Sequence, residues 1–146
     1  VIAATILLAL AAPDWTRAAD AIEAKDGAAC RAQFEDAVRV NIRKDMRTRL
    51  APVVAAIRYA ENGGKGREYG ILHPRAKTYR DQAGWAAASA MKAWDRWVKA
   101  GRPGDFITHM GARYCPPEDH PLNRHWAKNV TTYYLKFRGS KTDEAR

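Results

Sequence analysis

Residues 52 to 61 read PVVAAIRYAE, apolar on almost every side, and the glycine-rich stretch NGGKGREYG follows at once. A helix that is apolar all round has to be enclosed by the rest of the chain, so this segment is the central element of whatever fold forms. Asn62 and Gly63 suit the left-handed conformation that terminates helices, which puts Glu61 in the last turn. A carboxylate there faces the negative end of the macrodipole and costs a few tenths of a kcal/mol, up to about 1. Helix stability therefore does not account for Glu61. Either it is a solvated residue before a C-cap, or it is placed for chemistry.

Helical spacing recurs on both sides of this segment, and strand-like alternation does not persist. Asp14 caps a short helix to residue 24, and Lys25-Asp26-Gly27 breaks it. A longer helix over residues 28 to 49 buries Phe34, Val38, Ile42 and Met46, leaving Arg39, Arg43, Lys44, Arg47 and Arg49 on a solvated face. Pro52 starts a new helix, because it lacks a backbone donor and disfavours a helical residue before it. Thr78-x-x-Asp81 is a capping signature that opens a helix to residue 100, closed by Gly101 and Pro103. Asp105 caps a helix over residues 106 to 114, and a last one begins at Leu122 or Asn123 and runs to Phe137. The fold class is mostly α, within α+β if residues 62 to 77 make a small hairpin rather than an irregular segment.

A chain of 146 residues holds one domain with a real core. Residues 14 to 138 are read as that domain, and 139 to 146 as a polar tail. The first 12 residues, before Pro13, form an uncharged apolar run, too short for the roughly 20 needed to cross a bilayer. They read as a signal remnant, a docked helix or a weak membrane anchor. The net charge of +9 lies mainly in residues 51 to 146, which carry 17 Lys/Arg against 9 Asp/Glu. Such a field favours a polyanionic partner without choosing among nucleic acid, lipid and cell wall. Cys30 and Cys115 have no neighbours at metal-ligand spacing, so no zinc site is expected; they are either one disulfide or two buried thiols.

Chemistry enters at the end of the apolar helix. A carboxyl at the edge of a core is desolvated, its pKa rises, and a carboxyl still protonated near neutral pH can give its proton to a leaving oxygen. The glycines of NGGKGREYG allow close approach of a substrate, and Tyr69 offers a flat face or a hydroxyl to a sugar. Glu68 is the nearest candidate for a second carboxylate, and His73 the histidine best placed to touch substrate. Trp94 and Trp97, at i and i+3, read as core rather than as a sugar platform.

The stretch from Val54 to Leu72, with Glu61-Asn62-Gly63 at a helix end and Glu68-Tyr69-Gly70-Ile71-Leu72 after it, resembles the catalytic region of the lysozyme-like superfamily. That group includes goose-type lysozymes, lytic transglycosylases and cell-wall glucosaminidases of bacteria and phages. In it a helix ends on the catalytic Glu, and a Gly-Tyr-Gly-Leu-like stretch lines the cleft. Asn62 stands where Ser is usual, and His73-Pro74 where Met-Gln often follows. The resemblance implies a lysozyme-like helical domain with Glu61 as general acid. It implies Asn62, Tyr69, Gly70, Ile71 and His73 along the substrate, with Tyr114 and Trp126 reaching it from the closing helices. The implied partner is peptidoglycan or a chitin-like glycan, cleaved without cofactor or metal by a monomer that is exported or phage-borne. Specific nucleic-acid binding is not expected, and the N-terminal run allows a transient membrane association. The competing reading is a non-enzymatic basic helical module that binds nucleic acid or assembles in a virion, using Trp and Tyr interleaved with Lys/Arg in residues 77 to 138.

Overall fold

A computed structural model describes residues 15–139. Their regular structure is helical: α1 (Thr16–Asp26), α2 (Ala28–Asn41), α3 (Arg47–Ala60), α4 (Tyr79–Lys99), α5 (Phe106–Tyr114) and α6 (Trp126–Phe137), with single 3-10 turns at Lys44–Met46 and Pro121–His125. No strand occurs among the described residues, so the segment after α3 is a run of turns and not a hairpin. Asp14 and the apolar run of residues 1 to 12 lie outside the described residues.

The apolar segment is central, as its composition requires. Residues Leu50 to Arg58 of α3 are all buried, and the helix packs against α6, α4 and α1 while α2 packs on α4 and α1. Gly27, at φ 94°, separates α1 from α2. Thr78 Oγ1 accepts from the Asp81 amide at 3.1 Å to open α4, and Asp105 Oδ1 accepts from the Thr108 amide at 2.9 Å to open α5, both as the capping signatures require.

Two expectations fail at one place. The helix from residue 28 stops at Asn41 instead of Arg49, because Ile42 turns extended, with φ −117° and ψ 127°. Arg47, read as a solvated residue, closes that end: its guanidinium donates to the Ile42 carbonyl at 3.1 Å and to the Arg39 carbonyl at 2.9 Å. The bend keeps Ile42 and Met46 buried although they no longer share a helix face with Phe34 and Val38. Pro52 does not start α3 but sits inside it. Its ring forgoes the bond to the Thr48 carbonyl, a cost offset by complete burial among Ala51, Val53 and Val54.

Two buried polar side chains hold the irregular segment. Arg58, the lone cation in the apolar run, makes a bidentate pair with Asp26 at the end of α1, with Nε at 2.8 Å and Nη2 at 2.9 Å. Its remaining nitrogen, Nη1, donates to the carbonyls of Glu61 at 3.2 Å and Glu68 at 3.3 Å, pinning both ends of the glycine-rich turn. Gln82, fully buried on α4, accepts from the amides of Tyr69 and Ile71 at 3.1 and 3.2 Å. It donates to the carbonyls of Ile71 and Ala76 at 2.9 and 2.6 Å. All of its hydrogen-bonding capacity is used on one stretch of backbone, which therefore behaves as a rigid loop.

Candidate active site

Glu61 is the C-cap of α3, its amide bonded to the Ile57 carbonyl at 2.9 Å while its backbone is already extended. Leaving the helix there turns the side chain toward α6 and the rigid loop. The indole Nε1 of Trp126, the first residue of α6, donates to Glu61 Oε1 at 3.1 Å. The carboxyl also lies against the Cα of Gly70, where a Cβ would stand 2.6 Å from Cδ and 2.7 Å from Oε2. Gly70 holds φ at 74°, so this position needs glycine both for its backbone and for the space it leaves.

Trp126 is fixed in turn. A Cβ on Gly111 would come 2.7 Å from its Cε3, so the indole sits directly on the backbone of α5. It packs on the ring of Tyr114 with centroids 5.3 Å apart, and the Tyr114 hydroxyl donates to the Tyr69 carbonyl at 2.5 Å. Four segments thus meet at Glu61: the end of α3, the start of α6, the end of α5 and the loop after α3.

Burial raises the Glu61 pKa above its usual value, and the hydrogen bond from Trp126 opposes the rise in part. The same burial, with the Glu61 carboxylate adding to it, pushes Tyr114 well above the usual tyrosine range and Cys115 up to about 11. The local field disfavours further negative charge. A carboxyl in this setting, anchored through Oε1, holds a proton at higher pH than an exposed one and can pass it to a basic oxygen.

The other residues expected here separate into groups. Gly70, Tyr114 and Trp126 converge on Glu61, and Asn62 is exposed beside it. Tyr69 does not offer its ring to a ligand: it is 0% exposed, and its hydroxyl meets that of Tyr79 at 2.9 Å. Tyr79 gives its own proton to Asp26 Oδ2 at 2.8 Å, so Tyr69 is the donor to Tyr79. Burial is the reason for the correction, since this ring is core and its hydroxyl extends the Asp26 network. Glu68 is likewise not placed as a second carboxylate. Its Oε1 folds back to accept from the Gly66 amide at 2.9 Å, and its charge, after burial and Asp26, adds to the rise of the Cys30 thiol pKa. Ile71 is half-buried and tied down by Gln82. His73 stands on the exposed side of the loop, stacked at 4.4 Å on Trp85. Cys30 and Cys115 are free thiols, half-buried, which removes the disulfide alternative. No cluster of metal-ligating side chains occurs among the described residues.

Sequence reasoning missed Asp26, Arg58, Gln82 and Gly111. A signal existed for two of them, because an Arg inside an apolar helix and a Gln among the alanines of α4 both demand buried partners. Comparison with family models, with curated proteins and with solved structures finds no match for the chain.

Proposed function

We propose that the protein is a glycosidase of lysozyme or lytic transglycosylase type that cleaves β-1,4-linked amino-sugar glycan, peptidoglycan foremost, with Glu61 as the proton donor. The observation that carries this reading is the Glu61 carboxyl itself, lifted in pKa by burial, anchored at Oε1 by Trp126 and seated on Gly70. Protonated, it would hand its proton to the glycosidic oxygen as the bond to the anomeric carbon breaks; as the carboxylate, it would then take a proton from the incoming nucleophile. The stretch from Val54 to Leu72 that resembles the lysozyme-like catalytic region is the one built around this carboxyl.

Purified peptidoglycan incubated with the wild-type chain should lose turbidity and release soluble muropeptides, and Glu61→Gln should abolish both while keeping the helical circular dichroism spectrum. Undiminished lysis by the Gln variant would remove Glu61 from the mechanism. Mass spectrometry of the products separates hydrolysis, which adds water, from formation of a 1,6-anhydro sugar, which does not.

A further inference from the structure

A groove of about 1210 Å³ opens between the start of α3, the end of α4, the start of α5 and the outer face of α6, and Glu61 is not among its lining residues. Its walls combine two chemistries. One is apolar and aromatic: Trp94, Trp97, Phe106, Tyr134 and Leu135, the last 50% exposed despite its size. Trp94 and Trp97 meet Phe106 at centroid distances of 5.2 and 5.7 Å, which makes a continuous aromatic wall. The other is cationic: Arg49, Arg102, Arg124, Lys128 and Arg138 line the same groove. Asp105 is the carboxylate among the described lining residues, and it is occupied by the Thr108 amide as the cap of α5.

These cations are scattered along the sequence, and tertiary packing gathers them around one aromatic wall. Arg102 lies over both indoles at 5.6 and 5.9 Å, and Arg49 lies over Trp94 at 5.7 Å. The tryptophan faces are thereby partly covered by guanidinium groups, which disfavours stacking of nucleic-acid bases on them. A purely ionic ligand would gain nothing from the exposed Leu135 and the apolar wall. The occupant that fits both chemistries is an amphiphile with an anionic head. Trp and Tyr beside Lys and Arg, at the edge of exposed aliphatic surface, is the composition that settles at the boundary between headgroups and acyl chains.

We propose that this groove docks the protein on an anionic phospholipid surface. Arg102, Arg124 and Lys128, the exposed cations of the rim, meet the lipid phosphates, and Leu135 enters the headgroup boundary beside the Trp94/Trp97 wall. No described helix is long and apolar enough to cross a membrane. Glu61 does not line the groove, and the docking does not depend on the glycosidase reading.

The test is partition of the full chain onto vesicles of phosphatidylglycerol and phosphatidylcholine, with vesicles of phosphatidylcholine alone as the reference. The wild type should bind the anionic vesicles, with a blue shift of tryptophan emission and weakening at high salt. Each basic residue at such a surface strengthens binding about fivefold. Arg124→Glu with Lys128→Glu, both exposed, should therefore lower the partition coefficient by more than about 25-fold. Leu135→Ser should lower it with the rim charges intact. Equal binding to neutral vesicles, or full binding by the charge-reversed variant, would overturn the proposal by placing attachment elsewhere in the chain. Failure of the wild type to bind anionic vesicles, while it binds a labelled oligothymidylate that the charge-reversed variant releases, would overturn it in favour of a polyanion site. Wall lysis is compared between wild type and Glu61→Gln, and vesicle binding between wild type and the groove variants, so failure of one reading is distinct from failure of the other.

Discussion

The indole N–H of Trp126 donates to Oε1 of Glu61 across a separation of 65 residues, joining the first residue of α6 to the cap of α3. This bond stabilises the carboxylate against the burial that raises its pKa. Trp126→Phe keeps the ring packed on Gly111 and Tyr114 but removes the donor, so the Glu61 pKa rises further. If Glu61 is the acid, the alkaline limb of the pH–activity profile shifts to higher pH and the maximal rate falls as the carboxyl loses its orientation. Stability should drop by about 0.5–1.5 kcal/mol for the lost hydrogen bond, measured by urea titration.

Glu61→Gln has a stability consequence with a definite sign. The folded pKa of Glu61 lies above its unfolded value, so between the two the native state binds more protons than the unfolded state, and stability falls as pH rises through that window. A neutral Gln escapes the penalty and still accepts from Trp126. The variant should melt higher than wild type at pH 7 to 8, and this advantage should vanish near pH 4, below the usual glutamate pKa. Calorimetry at the two pH values measures it.

Gly70→Ala forces a side chain into a left-handed backbone and places its Cβ within 2.6 to 2.9 Å of the Glu61 carboxyl. The expected cost is about 1–2 kcal/mol from the backbone alone. Wall lysis should fall more than tenfold even where the protein is fully folded, because the carboxyl has to move. Gly64→Ala, where no atom lies within 4 Å of the added carbon, should leave both nearly unchanged and serves as the control.

Asp26→Ala leaves the Arg58 guanidinium, with its side chain 10% exposed, without its bidentate partner. Removing one partner of a buried pair costs about 3–5 kcal/mol, far more than an exposed pair such as Arg43 with Asp95 contributes. Denaturant unfolding should show that loss. Hydrogen exchange should show the Glu61–Glu68 turn opening first, since Arg58 Nη1 bonds the carbonyls at both of its ends.

Gln82→Leu retains volume but leaves the amides of Tyr69 and Ile71 and the carbonyls of Ile71 and Ala76 without their partner. Stability should fall by about 2–4 kcal/mol, with each stranded buried group adding to the cost. Amide exchange at Tyr69 and Ile71 should accelerate more than at Ala55 in α3.

The Thr78 and Asp105 caps, the Gly27 break and the burial of α3 were all legible in the sequence, since each depends on residues within one turn or on the composition of one segment. The bend at Ile42 was not. Arg47 reaches back to close α2 there, a contact that periodicity does not encode. Glu61 stood out because an acid at the end of an apolar helix conflicts with the helix dipole. The roles of its neighbours were misjudged where burial decides them: Tyr69 sits in the core and not on a cleft wall, and Glu68 turns back on its own loop.

By itself, the sequence determined the caps that open α4 and α5, which helix is central, and that a carboxyl ends it beside a glycine-rich turn. These follow from capping, periodicity and the cost of exposing apolar surface. Only the tertiary structure decided that Trp126 and Gly70 hold that carboxyl, that Asp26 neutralises Arg58, and that Arg49, Arg102, Arg124, Lys128 and Arg138 share one groove. Each of these depends on how helices far apart in sequence come to lie against one another, and that placement is set by the packing of the whole core.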